Sequence, residues 1–204
     1  TLAAAMLLGS GWDGRSPLVD PMCGSGTVAI EAALLARGIP PGLANADRQP
    51  RGYAFTAWPD FDADAWSRVV DAARGQVRED APAPILASDR DAGAIEAAAA
   101  NAERAGVRGD VDLSVRPLSA MEPPPGPGLV LSNPPYGVRV GESDPLRNLY
   151  ASLGRTLRAK APGWSLGLLS ADPRLEAQVG IPFREVFRTS NGGIPVRLVI
   201  GSAD

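Results

Sequence analysis

Three short segments of the 204-residue chain carry residue types whose spacing could do chemistry, and each follows an apolar run. The first is Asp20-Pro21-Met22-Cys23-Gly24-Ser25-Gly26-Thr27. Two glycines in three residues let the backbone approach a ligand closely and adopt conformations barred to other residues. The turn is similar in outline to a dinucleotide fingerprint, but no third glycine is in register and an acid precedes it. A carboxylate there repels phosphates, so Asp20 favours a cationic ligand, or one that offers amine and hydroxyl donors. No Gly-Lys-Ser/Thr follows, which excludes a phosphate-cradling P-loop. The same residues also suit a bare strand-to-helix turn. The second segment, Ser88-Asp89-Arg90-Asp91, puts an acid where ribose hydroxyls are commonly bound. Asp89 or Asp91 would equally serve as a helix cap.

The third segment, Asn133-Pro134-Pro135-Tyr136, is the most specific. Two prolines restrict the backbone, so the Asn133 amide and the neighbouring carbonyls aim at one place with little freedom left to lose. Tyr136 offers a flat face to a planar group. A planar amine held here donates its N–H groups to the Asn133 and Pro134 carbonyls, leaving its nitrogen lone pair directed at an electrophile. The competing reading is a rigid proline loop with Asn133 as a turn residue.

Composition removes other chemistries. The chain has no histidine, so a Ser-His-Asp triad, a Cys-His pair, a histidine base and a histidine-bound metal are all excluded. Cys23 is its only cysteine, which rules out an internal disulfide and a cysteine-based zinc site, and no metal is expected. No apolar run approaches the roughly 18 residues of a membrane span, and residues 1–8 have neither the basic lead nor the cleavage pattern of a signal peptide. A soluble, cytoplasmic protein is expected. The net charge of −3 argues against unaided nucleic-acid binding, although residues 139–204 carry nine basic and six acidic side chains. Arg139, Arg147, Arg155 and Arg158 are candidates to line an RNA approach, and the last three equally suit the solvated face of one helix.

The elements that must position these segments alternate along the chain. Helical spacing or capping predicts helices at 2–8, 27–37, 61–78, 92–105, 145–160 and 173–179. Compact apolar runs predict strands at 17–20, 85–88, 111–115, 129–132, 165–170, 183–189 and 194–200, the last two joined through Ser190-Asn191-Gly192-Gly193. Residues 38–83 form an insertion whose first part, up to residue 60, reads as an ordered loop. This pattern implies an α/β, Rossmann-like, doubly wound fold: a seven-stranded, mostly parallel sheet with the last strand antiparallel. A single domain over residues 1–204 is expected, cut from a longer protein because the chain starts at Thr1 inside an apolar pattern.

In this order the three motifs resemble those of the class I S-adenosylmethionine-dependent methyltransferases, in their amino-methylating branch. The chain is more specifically similar to the RNA guanine-N2 methyltransferase family, whose members often carry an N-terminal THUMP RNA-binding domain. That likeness rests on residues 20–27 with Glu31-Ala32-Ala33, Pro41-Gly42, Arg51-Gly52, Trp58, Trp66, residues 133–137 and Leu149-Tyr150 with Leu153-Gly154. The resemblance implies S-adenosylmethionine as cofactor, with Gly24, Ser25 and Gly26 against its methionine part and Asp20 near its amino group. Pro21, Met22, Cys23 and Thr27 complete that turn, Asp89 and Arg90 lie at the ribose, and Ser119 stands where the family has an adenine contact. Asn133, Pro134, Pro135 and Tyr136 are the implied catalytic residues.

The expected reaction is methyl transfer to an exocyclic amine, guanine N2 in ribosomal or transfer RNA, with the RNA delivered by an N-terminal domain outside this chain. Adenine N6 and a protein glutamine present the same planar nitrogen. A non-catalytic cofactor-binding domain and a nicotinamide dehydrogenase are the readings of other classes. The dehydrogenase is disfavoured by Asp20.

Overall fold

The computed structural model describes residues 1–42, 53–136 and 143–202. Its strands are β1 (Leu18–Asp20), β2 (Ile85–Asp89), β3 (Val111–Val115), β4 (Leu129–Ser132), β5 (Ser165–Ser170), β6 (Arg184–Asn191) and β7 (Ile194–Ser202). They form one sheet in the order β3-β2-β1-β4-β5-β7-β6. The first five run parallel, and β7 inserts antiparallel between β5 and β6. The expected fold class and the direction of the last strand are both observed.

Strands buried on both faces are apolar at consecutive positions, and successive side chains serve opposite layers. Leu18, Leu129 and Leu131 pack with helices α1 (Leu2–Ser10), α2 (Thr27–Arg37) and α4 (Ala92–Ala105). Val19 and Val130 pack on the other face with α5 (Ser143–Lys160) and α6 (Pro173–Val179). The small residues Ala29, Ala32, Ala33 and Ala36 let α2 lie close to the sheet. The β6–β7 hairpin closes through Gly192 and Gly193, both at positive φ (57° and 84°), as a two-residue turn demands.

The insertion departs from expectation. Its helix α3 spans Ala63–Arg74, shorter at both ends than residues 61–78, and none of its residues is buried. Tyr53, Phe55, Trp58, Phe61 and Trp66 stack on one another instead of joining the main core. The described parts that leave α2 and return to β2 lie at the amino ends of the strands. Reciprocal bonds pin them there, Arg78 N–H to the Arg37 carbonyl (2.8 Å) and Arg37 Nε to the Arg78 carbonyl (3.0 Å). Neither Trp58 nor Trp66 lines the clefts at the carboxyl ends, where open α/β sheets bind ligands. Arg51-Gly52, Gly137 and Arg139 lie outside the described residues.

Candidate functional site

The chain winds outward in both directions from β1 and β4, so the crevice beyond their carboxyl ends is the expected ligand site. The first and third motifs begin there side by side. Asp20 ends β1, almost wholly buried at 1% exposure, and the Ser132 hydroxyl at the end of β4 donates to its Oδ1 at 2.7 Å. The Met22 N–H donates to the same oxygen at 3.3 Å. Burial dominates and pushes the Asp20 carboxyl up to about 7, helped by the nearby charge of Asp89 and opposed by the two hydrogen bonds. A buried carboxylate with few donors gains most from a cation brought against it.

Beyond Asp20 the chain turns through Gly24 (φ 52°) and Gly26 (φ 82°) into α2. A Cβ on Gly26 would stand 2.9 Å from that of Ala98 on α4, so this position answers to close packing as well as to dihedral angle. The turn is laced to β2: the Cys23 N–H donates to the Ser88 carbonyl, and the Gly24 N–H to Asp89 Oδ2, both at 3.0 Å. The other Asp89 oxygen accepts from the Asp91 N–H at 3.0 Å. The cap of α4 is Asp91, which accepts from the Gly93 N–H, and Asp89 is left to join the first two motifs. The Cys23 thiol is pushed up to about 12, first by burial and then by Asp20 and Asp89. A thiol so held is no nucleophile at neutral pH.

Two clefts flank this turn and meet at Met22. One, of about 510 Å³, is lined by Pro21, Met22, Asp89, Arg90, Leu118, Ser119 and Pro135. The other, of about 360 Å³, is lined by Asp20, Met22, Cys23, Gly24, Ser25, Thr27, Asn133 and Asn191. Both volumes are in the range of small-molecule sites, roughly 300–1,000 Å³. The structure thus gathers most of the predicted residues and sorts them, with Asp89, Arg90 and Ser119 on one side of Met22 and Asp20 and the glycine turn on the other. Ser119 and its neighbours offer apolar walls and a hydroxyl but no acid.

In the third motif Asn133 and Pro135 are exposed, Pro134 is buried and Tyr136 is half-buried. The Tyr136 hydroxyl donates to Asn133 Oδ1 at 2.5 Å, and Asn191 Nδ2 donates to the Tyr136 oxygen at 2.7 Å. In the sequence Asn191 reads only as a hairpin turn residue, and nothing local distinguishes it. Ser132 was equally missed, although a polar residue closing an apolar strand just before Asn133 was a usable signal. Of the arginines considered for RNA, Arg147, Arg155 and Arg158 are exposed, and Arg158 already donates to the Val179 and Gly180 carbonyls at the end of α6. Among the described residues no three His, Cys, Asp or Glu side chains gather as a metal would need, and no helix is long and apolar enough to cross a membrane.

The chain is similar to several known proteins. The model of the family described as "RMKL-like, methyltransferase domain" matches residues 1–199. A Synechocystis protein that carries a provisional name as an RNA methyltransferase is 36% identical over 199 residues, which are 98% of this chain and 50% of that protein. The Chromohalobacter salexigens ribosomal RNA large subunit methyltransferase K/L is 39% identical over 210 residues, 98% of this chain and 28% of that one. The crystal structure of SMU.472, provisionally called a methyltransferase and solved with S-adenosylhomocysteine, superposes with a TM-score of 0.85 at 32% identity, covering 100% of this chain and 52% of that one. The chain thus spans about half, or less, of the length of these relatives.

Proposed function

The chain belongs to the family of RMKL-like methyltransferase domains, and on that premise we propose that it moves a methyl group from S-adenosylmethionine to an exocyclic amine of a nucleobase, guanine N2 in ribosomal or transfer RNA. The observation that carries this reading is the cleft in which Asn133 and buried Asp20 face the same space beside the bare backbone of Gly24. That cleft fits the amino-acid end of the cofactor: a carboxylate of raised pKa suits an ammonium group, and a Cβ-free turn admits a close main-chain approach. The second cleft fits the nucleoside end, with Asp89 for ribose hydroxyls, Arg90 beside it, and Pro135, Leu118 and Ser119 around a flat base.

When bound, S-adenosylmethionine supplies a methyl group that is already strongly electrophilic, so the protein's task is alignment more than activation. Asn133 Oδ1 and the Pro134 carbonyl accept the amine's two N–H groups and stabilise positive charge as it grows on the nitrogen. Pro134 and Pro135 hold the loop so that this arrangement precedes the reaction. Tyr136 presents its ring to the base, which must come from a loop or leave its helix. The proton shed after methylation needs no histidine or metal. We take RNA to be brought by a part of the protein outside residues 1–204, with Arg147 and Arg155 as basic contacts on this domain, and the reaction to occur in the cytoplasm.

The test is to incubate the full-length protein with labelled S-adenosylmethionine and total RNA, then digest the RNA to nucleosides. N2-methylguanosine, lost in Asn133→Ala while S-adenosylhomocysteine still binds, supports the reading. N6-methyladenosine would move the substrate to adenine. Binding without any transfer would make this a non-catalytic cofactor domain.

A further inference from the structure

We propose that Asn191, at the tip of the β6–β7 hairpin, is a positioning residue that acts through Tyr136 to set which face of the Asn133 amide meets the substrate. The inference rests on the proposed amine-methylating function and adds to it a residue 55 positions beyond Tyr136 in the chain.

An asparagine side chain is ambiguous by nature, since half a turn exchanges its carbonyl oxygen for an NH2 group of nearly the same shape. For an amine substrate the two states are opposite. A carbonyl accepts the amine's N–H, and an NH2 group meets it donor to donor. Asn133 is exposed and follows a strand end, so packing alone does not choose between them.

A chain of hydrogen bonds makes the choice. Asn191 Nδ2 donates to the Tyr136 oxygen at 2.7 Å, which leaves the phenolic proton for Asn133 Oδ1 at 2.5 Å. With its oxygen lone pair taken by Asn191, Tyr136 acts on Asn133 as a donor, and a donor selects the carbonyl. Tyr136 uses one of the two oxygen lone pairs and leaves the other for an amine. Asn191 is placed for this role by the hairpin. Asn191 pairs with Ile194 across the two-glycine turn, and its side chain lines the same cleft as Asn133 and Asp20.

The experiment combines Asn191→Ala, Asn191→Asp and Tyr136→Phe in the full-length protein. Asparagine labelled with 15N reports the Asn133 side-chain amide without substrate or cofactor. Asn191→Ala is expected to shift or broaden that signal, with melting temperature and S-adenosylhomocysteine affinity close to the parent's. The near-isosteric Asn191→Asp is expected to disturb it as much or more, because a carboxylate accepts the Tyr136 proton and turns the relay away from Asn133. In turnover, kcat should fall about tenfold at little cost in KM, and Asn191→Ala should add less than about twofold in the Tyr136→Phe background. An unmoved Asn133 signal, or losses that multiply in the double variant, overturns the proposal. If the unsubstituted protein transfers no methyl group, the functional reading fails on that result alone, and the amide signals still decide whether Asn191 orients Asn133.

Discussion

The Ser132 hydroxyl stands 2.7 Å from Asp20 Oδ1, tying the ends of β1 and β4 across 112 residues of sequence. Added to the β1–β4 backbone ladder, this bond helps fix the spacing between the glycine turn that follows Asp20 and the Asn133 loop that follows Ser132. In the proposed function, the amine and the methyl donor meet at the junction of those two loops. The bond accordingly belongs to the site's alignment as well as to the sheet. Because it is made to a carboxyl group nearly devoid of other donors, it also sets the conditions for the first prediction.

Asp20 should make the ligand-free protein less stable as pH rises. Its folded-state value, about 7, lies above the ordinary 3.8, so between those limits the native state holds a proton that the unfolded state has released. Stability from this group is greatest below about pH 4, declines through the window and levels off above pH 7. The full effect is on the order of 2–4 kcal/mol. Asp20→Asn should flatten the decline and melt higher than the parent at pH 8. An ammonium-bearing ligand reverses the preference, so the affinity for S-adenosylhomocysteine should rise as pH passes from 6 to 7.5 in the parent and much less in Asp20→Asn. Thermal melts and titration calorimetry across that range check both, and parallel melting curves for parent and variant would refute the assignment.

Asp89 is expected to serve turn and ligand together. Its two oxygens accept the Gly24 and Asp91 N–H groups at 3.0 Å each, and it lines the larger cleft. Asp89→Ala removes both acceptors and the partner for ribose hydroxyls, so S-adenosylhomocysteine affinity should drop by more than about tenfold, with a stability loss of about 1–3 kcal/mol. Calorimetry with S-adenosylhomocysteine, beside NADH as a ligand the site is not expected to take, checks this. Unchanged affinity would confine Asp89 to holding the turn.

Residues near in sequence made much of this legible. The strand β4 and helices α2 and α4 have the bounds that apolar runs, glycine stops and the Asp91 cap imply, because those signals are local. The Asp20 turn and the Asn133 loop were recognisable because backbone restriction by glycine and proline is written in the residue types themselves. What stayed hidden depends on distant partners. Asn191 beside Gly192 and Gly193 looks like any turn asparagine until the sheet order brings its hairpin to Tyr136. The split into two clefts at Met22 needs the third dimension as well. The length of α3 was overestimated because its apolar spacing is real, but Trp66 packs with Tyr53 and Phe55, leaving the helix off the sheet.

Gly26 carries two constraints that a pair of substitutions can separate. Its φ of 82° is costly for any residue with a side chain, and its Cβ would meet that of Ala98 at 2.9 Å. Gly26→Ala should cost about 2–4 kcal/mol, part of it backbone strain of about 1–2 kcal/mol and the rest steric. Adding Ala98→Gly relieves the worst of the steric part, leaving the Ala98 Cα 3.3 Å away and the strain, even after allowance for the lower helix propensity of glycine in α4. Chemical denaturation of the single and double variants should then show Ala98→Gly destabilising the parent but costing less, or even stabilising, beside Gly26→Ala. Purely additive losses would mean that the two residues do not touch.

Tyr150 makes the opposite case to Tyr136. Its side chain is 1% exposed on α5, and among the described residues its hydroxyl is a buried polar atom with no hydrogen-bond partner. Burial drives its pKa upward, reinforced by Tyr136, Glu176 and Asp172, and the nearby Ser170 hydroxyl, turned toward Asp172, offsets little of this. A hydroxyl taken out of water without a partner contributes desolvation cost and no bond. Tyr150→Phe should therefore leave the melting temperature unchanged or raise it by a few degrees, a gain of up to about 1 kcal/mol, with methyl transfer unaffected. Tyr136→Phe keeps the ring as well, but it breaks the link between Asn191 and Asn133, so it should lower turnover with little change in stability. Measured side by side, the two substitutions set a hydroxyl with partners on both sides against one with only Ser170 nearby. A destabilised Tyr150→Phe would show that its hydroxyl is bonded after all.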